Sequence, residues 1–224
     1  MASLTKIMTA IVTLELADKL NLDIRSTYFR VSPKAASTIG TSAYLIESQV
    51  LSVWDLLHGL MLPSGNDAAM TLAENFSEIL NMKGLRQPSE SQSTRASAGV
   101  SGGTSSGQDQ SPIKCPSVGT SAFIKVMNKT ARKVHMRNTN YANPHGLADK
   151  SNHSTAKELA MLSNYAMRND LFRQIVACKS YSSLNFLPLK RAKKLPNNEF
   201  TNWQVYDERD VPFPHGEVEY VHYY

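Results

Sequence analysis

From Leu4 to Ala17 the chain reads Leu-Thr-Lys-Ile-Met-Thr-Ala-Ile-Val-Thr-Leu-Glu-Leu-Ala, with apolar residues on nearly every face of a helical repeat. That pattern predicts a helix buried on all sides, with Ser3 at an N-cap-like start. Between Thr27 and Val50 short β-type runs such as Tyr28-Phe29-Arg30-Val31 alternate with Ser, Gly and Thr. They read as extended loops and a small β element. Ser52 is placed to cap a second helix over Val53 to Met61, which Pro63 stops. Asn66 or Asp67 then opens a third, from Ala68 to about Leu80.

The pattern collapses from Gln87 to Thr120, where Ser, Gly, Thr, Gln and Pro dominate. Such a stretch cannot offset its ordering entropy and reads as a disordered insertion. Helical periodicity returns over Ser121 to Met136, followed by a loop from Asn138 to Asn152 and a helix over about Thr155 to Arg168. A short helix after Asn169 and a β-hairpin over Ser180 to Val205 complete the expected elements. Asp207 to Tyr224 is charged and proline-containing and predicts no clear element.

Composition changes this picture little. The 224 residues, 42% of them apolar, suit one domain or one with a satellite around a sizeable core. The net charge of +5 owes much to Lys190, Arg191, Lys193 and Lys194, and runs of that kind are usually solvated faces. No zinc-finger spacing, RNA-binding signature or aromatic-basic interleaving appears, so no nucleic-acid partner is expected. No apolar run is long enough to span a bilayer, so no transmembrane segment is expected. Cys115 and Cys178 do not make a disulfide framework. Met1-Ala2-Ser3 lacks the layout of a secretory leader. The expectation is that the protein stays where it is made or that its true start lies upstream.

The candidate chemistry begins at Ser3 and Lys6. A serine hydroxyl is a weak nucleophile until a base takes its proton. A lysine three residues on shares its helix face, burial lowers the lysine pKa, and the helix N-terminus favours developing negative charge. Ser-x-x-Lys alone is a poor signal, since about one chance match is expected in a chain of this length. Ser111 to Lys114 and Ser154 to Lys157 are further copies, and Ser183-Leu184-Asn185 repeats the Ser-x-Asn pattern of Ser64-Gly65-Asn66. Context separates them. Only Ser3 opens a wholly apolar helix, and only Ser64-Gly65-Asn66 sits in a tight turn between two helices, where a hydroxyl and an amide can be aimed into a cleft.

Ala2-Ser-Leu-Thr-Lys-Ile-Met-Thr-Ala10 and Leu62-Pro-Ser-Gly-Asn-Asp-Ala-Ala69 resemble the first two active-site motifs of the low-molecular-mass penicillin-binding proteins. Within that class the chain is most similar to the serine-type D-alanyl-D-alanine carboxypeptidases. Asn138-Thr-Asn-Tyr-Ala-Asn-Pro-His-Gly-Leu147 and Ser154-Thr-Ala-Lys-Glu-Leu-Ala160 resemble their Asn-Pro-His-Gly-Leu loop and the helix after it. The resemblance implies an α/β (α+β) fold of the β-lactamase/transpeptidase type, with the helical subdomain largely present and the antiparallel sheet incomplete. It implies a peptidase domain over residues 1–206, interrupted at 87–120, and an unmatched tail at 207–224. It further implies that Ser3 attacks the terminal D-Ala-D-Ala carbonyl of a peptidoglycan stem peptide, with Lys6 as base. Ser64 relays the proton to the leaving amine, and Asn66 holds the substrate amide. A β-lactam would acylate the same serine, and neither a metal nor an organic cofactor is implied. His145 and Gly146 read as shaping the loop, and a zinc reading of His145 and His153 lacks a third ligand.

The family's third motif, Lys-Thr-Gly, supplies a cation for the substrate carboxylate. It normally follows a segment like Phe200-Thr-Asn-Trp203, yet Lys194 is the last lysine here. Lys129-Thr130-Ala131 falls in a predicted helix, and Pro214-His215-Gly216 has the wrong order. Family members are exported to the cell envelope, and strands that precede their serine have no counterpart in this chain. The expectation is a carboxypeptidase domain truncated at both ends. The rivals are a catalytically impaired relative that only binds peptide or β-lactam and, behind it, a β-lactamase.

Overall fold

A computed structural model describes residues 1–85, 119–186 and 218–223. The apolar run at the start folds as a 3₁₀ turn, Ala2–Leu4, that continues into helix α1, Thr5–Leu20. Every residue of α1 from Met8 to Leu14 is buried, as its all-round apolar pattern requires. Asn21 ends the helix in the left-handed conformation, which a short polar side chain tolerates. Ser3 makes no side-chain cap, which corrects its N-cap expectation. Because the chain enters through the 3₁₀ turn, Leu4 occupies the cap position and the Ser3 hydroxyl is left for other partners.

Strand β1, Tyr28–Arg30, pairs antiparallel with β2, Val50–Ser52, with the short helix α2, Pro33–Ala36, between them. Ser52 then closes a full capping box on α3, Val53–Met61: its hydroxyl accepts from the Asp55 amide, and the Asp55 carboxylate accepts from the Ser52 amide. Helix α4 runs Asn66–Leu85 and α5 runs Ser121–Lys133. Helices α1, α3, α4 and α5 enclose the core, where the Phe76 ring meets Phe29 edge-on at 5.0 Å and Phe123 at 6.2 Å. Thr155 caps α6, Ala156–Ala166, and Asn169 caps α7, Asp170–Ala177.

Strands β3, Tyr181–Phe186, and β4, Val218–Tyr223, complete a four-stranded antiparallel sheet in the order β1-β2-β3-β4. Here the structure departs from expectation. β3 falls at the start of the hairpin expected over 180–205, whose remainder from 187 lies outside the described residues, while β4 comes from the tail, for which no element was expected. Six residue pairs, from Tyr181↔Tyr223 to Phe186↔Val218, join them. The physical reason is legible afterwards: Val-Glu-Tyr-Val-His-Tyr carries the β-branched and aromatic side chains that suit a pleated surface. The insertion expected over 87–120 lies outside the described residues except for Gly119 and Thr120.

Candidate active site

The site forms where three segments meet: the start of α1, the turn between α3 and α4, and the loop before α6. Ser3, on the 3₁₀ turn, is exposed, while Lys6 on the next helical turn is only 2% exposed. Their spacing places Lys6 Nζ 3.3 Å from Ser3 Oγ. Burial pushes the Lys6 ammonium down to about 8, against the opposing pull of the Asp67 carboxylate. A lysine so placed is neutral in an appreciable fraction near physiological pH, which is what a proton acceptor needs.

Lys6 is aimed by two acceptors besides the serine. Its Nζ donates to Asn66 Oδ1 at 2.7 Å and to the His145 carbonyl at 3.1 Å. Asn66 in turn donates through Nδ2 to the Ile39 carbonyl at 2.7 Å, so its carboxamide orientation is fixed from both ends. Ser64 completes the group: its Oγ donates to Ser3 Oγ at 2.9 Å. The structure therefore brings together all four residues singled out from the sequence, Ser3, Lys6, Ser64 and Asn66.

The turn that carries Ser64 is over-determined. Ser64 has φ +59, uncommon for a residue with a side chain. The Thr41 hydroxyl donates to the Ser64 carbonyl at 2.6 Å, the Gly65 amide donates to the Gly59 carbonyl at 3.0 Å, and the Asn66 amide donates to the Thr41 carbonyl at 2.8 Å. Gly65 is required by close approach, since a Cβ there would stand 2.7 Å from the Gly59 carbonyl oxygen.

Beneath the turn lies a further residue, expected only as a possible start of α4. Asp67 is fully buried, and its carboxylate accepts from the Ser42 hydroxyl at 2.6 Å and from the amides of Ala43, Leu45 and Ala68 at 2.9–3.0 Å. It pins the 41–45 segment to the start of α4, and its negative charge opposes the lowering of the Lys6 pKa. The signal was its place next to Asn66 at a helix start, where a carboxylate is favoured.

The Asn-Pro-His-Gly-Leu loop seals the opposite side. Thr9 Oγ1 donates to the Pro144 carbonyl at 2.6 Å, and the Gly146 amide donates to Asn143 Oδ1 at 2.7 Å. Gly146 has φ +89, and a Cβ there would stand 2.0 Å from the Ala2 carbonyl oxygen. The His145 ring accepts from the Leu147 amide through Nδ1 at 3.1 Å, an arrangement that needs that nitrogen unprotonated. Burial, and secondarily the charge of Lys6, pushes its pKa down to about 4. His145 thus acts on the site through its backbone carbonyl.

The chance copies are placed elsewhere. The Ser154 hydroxyl pairs with the Thr139 hydroxyl at 2.7 Å while Lys157 is exposed, and Ser183 and Asn185 lie on β3. Ser111 to Lys114 is outside the described residues. Among the described residues no group of three or more His, Cys, Asp or Glu is placed to hold a metal.

The family model described as D-alanyl-D-alanine carboxypeptidase matches residues 1–79 and 116–206. The chain belongs to that family. The carboxypeptidase of Streptomyces sp. strain K15 is 31% identical over 182 residues, covering 81% of this chain and 50% of the relative. The carboxypeptidase DacF of Bacillus subtilis is 27% identical over 167 residues, covering 75% of this chain and 32% of its own length. The crystal structure of the Streptomyces K15 DD-transpeptidase superposes with a TM-score of 0.60 at 28% identity, covering 83% of this chain and 58% of that one. DacD from Francisella tularensis superposes equally well, with 34% of its chain covered. The fold is thus that of the penicillin-binding and β-lactamase-like enzymes, with helices packed on a small antiparallel sheet. The carboxypeptidase-family chain spans about half the length of the Streptomyces relative and about a third of the Bacillus one.

Proposed function

We propose that this chain carries the acylation machinery of a serine-type D-Ala-D-Ala carboxypeptidase. The observation that carries the reading is the convergence of Lys6 Nζ and Ser64 Oγ on Ser3 Oγ, at 3.3 and 2.9 Å, with the lysine buried and its pKa lowered. In this reading Ser3 Oγ attacks the carbonyl carbon of the terminal D-Ala-D-Ala bond, and neutral Lys6 accepts the serine proton. Ser64 sits on the path from that proton to the leaving D-alanine nitrogen and delivers it there. The C–N bond breaks, leaving the shortened peptide as an ester on Ser3, which water hydrolyses.

Asn66 has two tasks. Its Oδ1 fixes Lys6, and because a carboxamide oxygen has two lone pairs it can also accept the substrate amide N–H. A cavity of about 640 Å³ opens next to Ala2 and is walled by Gly146, Leu147 and Asn152. It lies against the residue before Ser3 and offers room for part of a bound peptide.

A second reading, binding without turnover, holds if no Lys-Thr-Gly strand lines the cleft, and residues 195–224 contain no such motif. Removing one oxyanion donor alone typically costs about 10²–10³ in rate. Intact-mass measurement after incubation with benzylpenicillin separates the readings. One stable adduct, absent in Ser3→Ala, supports the acylating serine. A folded protein that forms no adduct but retains saturable binding of a D-Ala-D-Ala peptide refutes it and supports the binding module.

A further inference from the structure

The described residues hold a second nucleophile–base pair, between α3 and the end of α7. His58 is fully buried, and its Nδ1 lies 2.8 Å from the Trp54 carbonyl, an acceptor that requires Nδ1 to carry the proton. Its other nitrogen, Nε2, therefore presents a lone pair, and the polar atom it faces is Cys178 Sγ at 3.7 Å. The Tyr181 ring stacks on the imidazole at 3.7 Å between centroids, and the Trp54 ring meets it edge-on at 4.6 Å. The ring is thus held from both sides with one nitrogen aimed at the thiol. Burial lowers the His58 pKa, and the Trp54 carbonyl that holds the Nδ1 proton leaves Nε2 as the accepting nitrogen.

The thiol is within reach of a ligand. Cys178 is half-buried and lies on the wall of a cavity of about 230 Å³ together with Met61, Leu62, Val176 and Lys179. Its hydrogen has two acceptors, His58 Nε2 and the Gln174 carbonyl at 3.3 Å. The charged and titratable groups around the pair are Asp55 and Arg25, which act oppositely on His58, Tyr181, whose hydroxyl donates to Asp55 at 2.6 Å, and exposed Lys179 at the cavity. Lys179 is the charged residue on the cavity wall, so an anionic reagent is favoured there.

We propose that Cys178 and His58 form a thiol–imidazole pair that takes anionic low-molecular-mass disulfides, forming a mixed disulfide at Cys178. The thiol proton passes to His58 Nε2 as the Cys178 sulfur attacks one sulfur of the reagent, so no standing thiolate–imidazolium pair is needed. The reagent's S–S bond breaks as the new one forms. The displaced sulfur leaves with the electron pair and takes up the proton, so the Cys178 sulfur is oxidised and the leaving sulfur reduced. The adduct would lie against Met61 and Leu62, at the end of α3 that leads into the turn carrying Ser64.

The test uses the full chain with Cys115→Ser, which leaves Cys178 as its single thiol, and glutathione disulfide and cystamine as probes. A free thiol is a few per cent ionised at pH 7, so assisted proton removal can raise its rate by about tenfold and at most a few tens of fold. The expected result is a rate at pH 7 about tenfold above N-acetylcysteine, converging with it above the ordinary thiol pKa of about 8.5. Glutathione disulfide should outpace cystamine relative to their ratio with N-acetylcysteine, and Lys179→Gln should abolish that preference. His58→Gln should return the rate to that of the free thiol, with circular dichroism verifying the fold. If that variant does not fold, the pH comparison with His58 intact decides alone. A rate at pH 7 no higher than that of N-acetylcysteine overturns the proposal, as does a preference for cystamine.

Discussion

Replacing Gly146 by alanine tests whether the Asn-Pro-His-Gly-Leu loop sets the position of the nucleophile. Gly146 has φ +89, a conformation that costs an L-residue about 1–2 kcal/mol. The larger effect is steric. The new Cβ would stand 2.0 Å from the Ala2 carbonyl oxygen, 2.5 Å from the Ala2 carbonyl carbon and 2.9 Å from Thr5 Oγ1. Non-bonded carbon contacts sit near 3.5 Å, so backbone must yield by roughly 1 Å or more. The atoms in the way are backbone atoms of the residue before Ser3, and no rotamer change relieves them. The displaced groups are therefore the serine itself or the His145 carbonyl that holds Lys6. A misplacement of about 1 Å can cost about 10² in rate. Gly146→Ala is accordingly expected to acylate about a hundredfold more slowly with a fluorescent penicillin, followed by stopped-flow or gel quantitation, and to melt at a lower temperature. Gly119→Ala, where nothing lies within 4 Å, is the control and should be silent in both assays. Acylation of Gly146→Ala within twofold of the parent rate would refute the reasoning.

The lowered Lys6 pKa predicts that acylation rises with pH and levels off above about 8, because the neutral amine is the competent form and gains population as protons leave; a flat profile between pH 6 and 9 would contradict it. Ser64→Ala removes the hydroxyl 2.9 Å from Ser3 Oγ and should slow acylation by about 10²-fold or more while leaving Ser3 the labelled residue, as peptide mapping of the adduct would reveal. Ser52→Ala breaks the capping box of α3 and should lower stability by about 1 kcal/mol in urea unfolding, without changing the acylation rate per folded molecule.

Much of the fold was legible because local rules decided it. The all-apolar face pattern of α1 could only be buried, Ser52 and Asp55 stand at capping-box spacing, and Thr155 and Asn169 precede helical periodicity. The tail strand was missed for a complementary reason. Val218–Tyr223 has strand chemistry, but a six-residue run becomes a strand only when a partner offers its open edge, and the partner here is β3, more than thirty residues earlier in the chain. Ser3 was misread as a cap because a 3₁₀ turn and an α-helical start share the same residue preferences.

At the site, the sequence by itself determined the reacting groups. Three-residue spacing across the 3₁₀ turn and the first turn of α1 puts Lys6 beside Ser3. Tertiary structure decided which of the repeated motifs is a site at all. Ser154 and Lys157 have the same spacing, yet the lysine is solvated and the serine bonds to Thr139. Only packing of α3 and α4 against α1 brings Ser64 and Asn66 to Ser3 and Lys6, across some sixty residues of chain. Only the loop before α6 supplies the His145 carbonyl and the glycine that lets it come so close. Burial then lowers the Lys6 pKa; the apolar pattern of α1 announces a buried helix, but the enclosure of the Lys6 amine is set by the helices and loop packed around it.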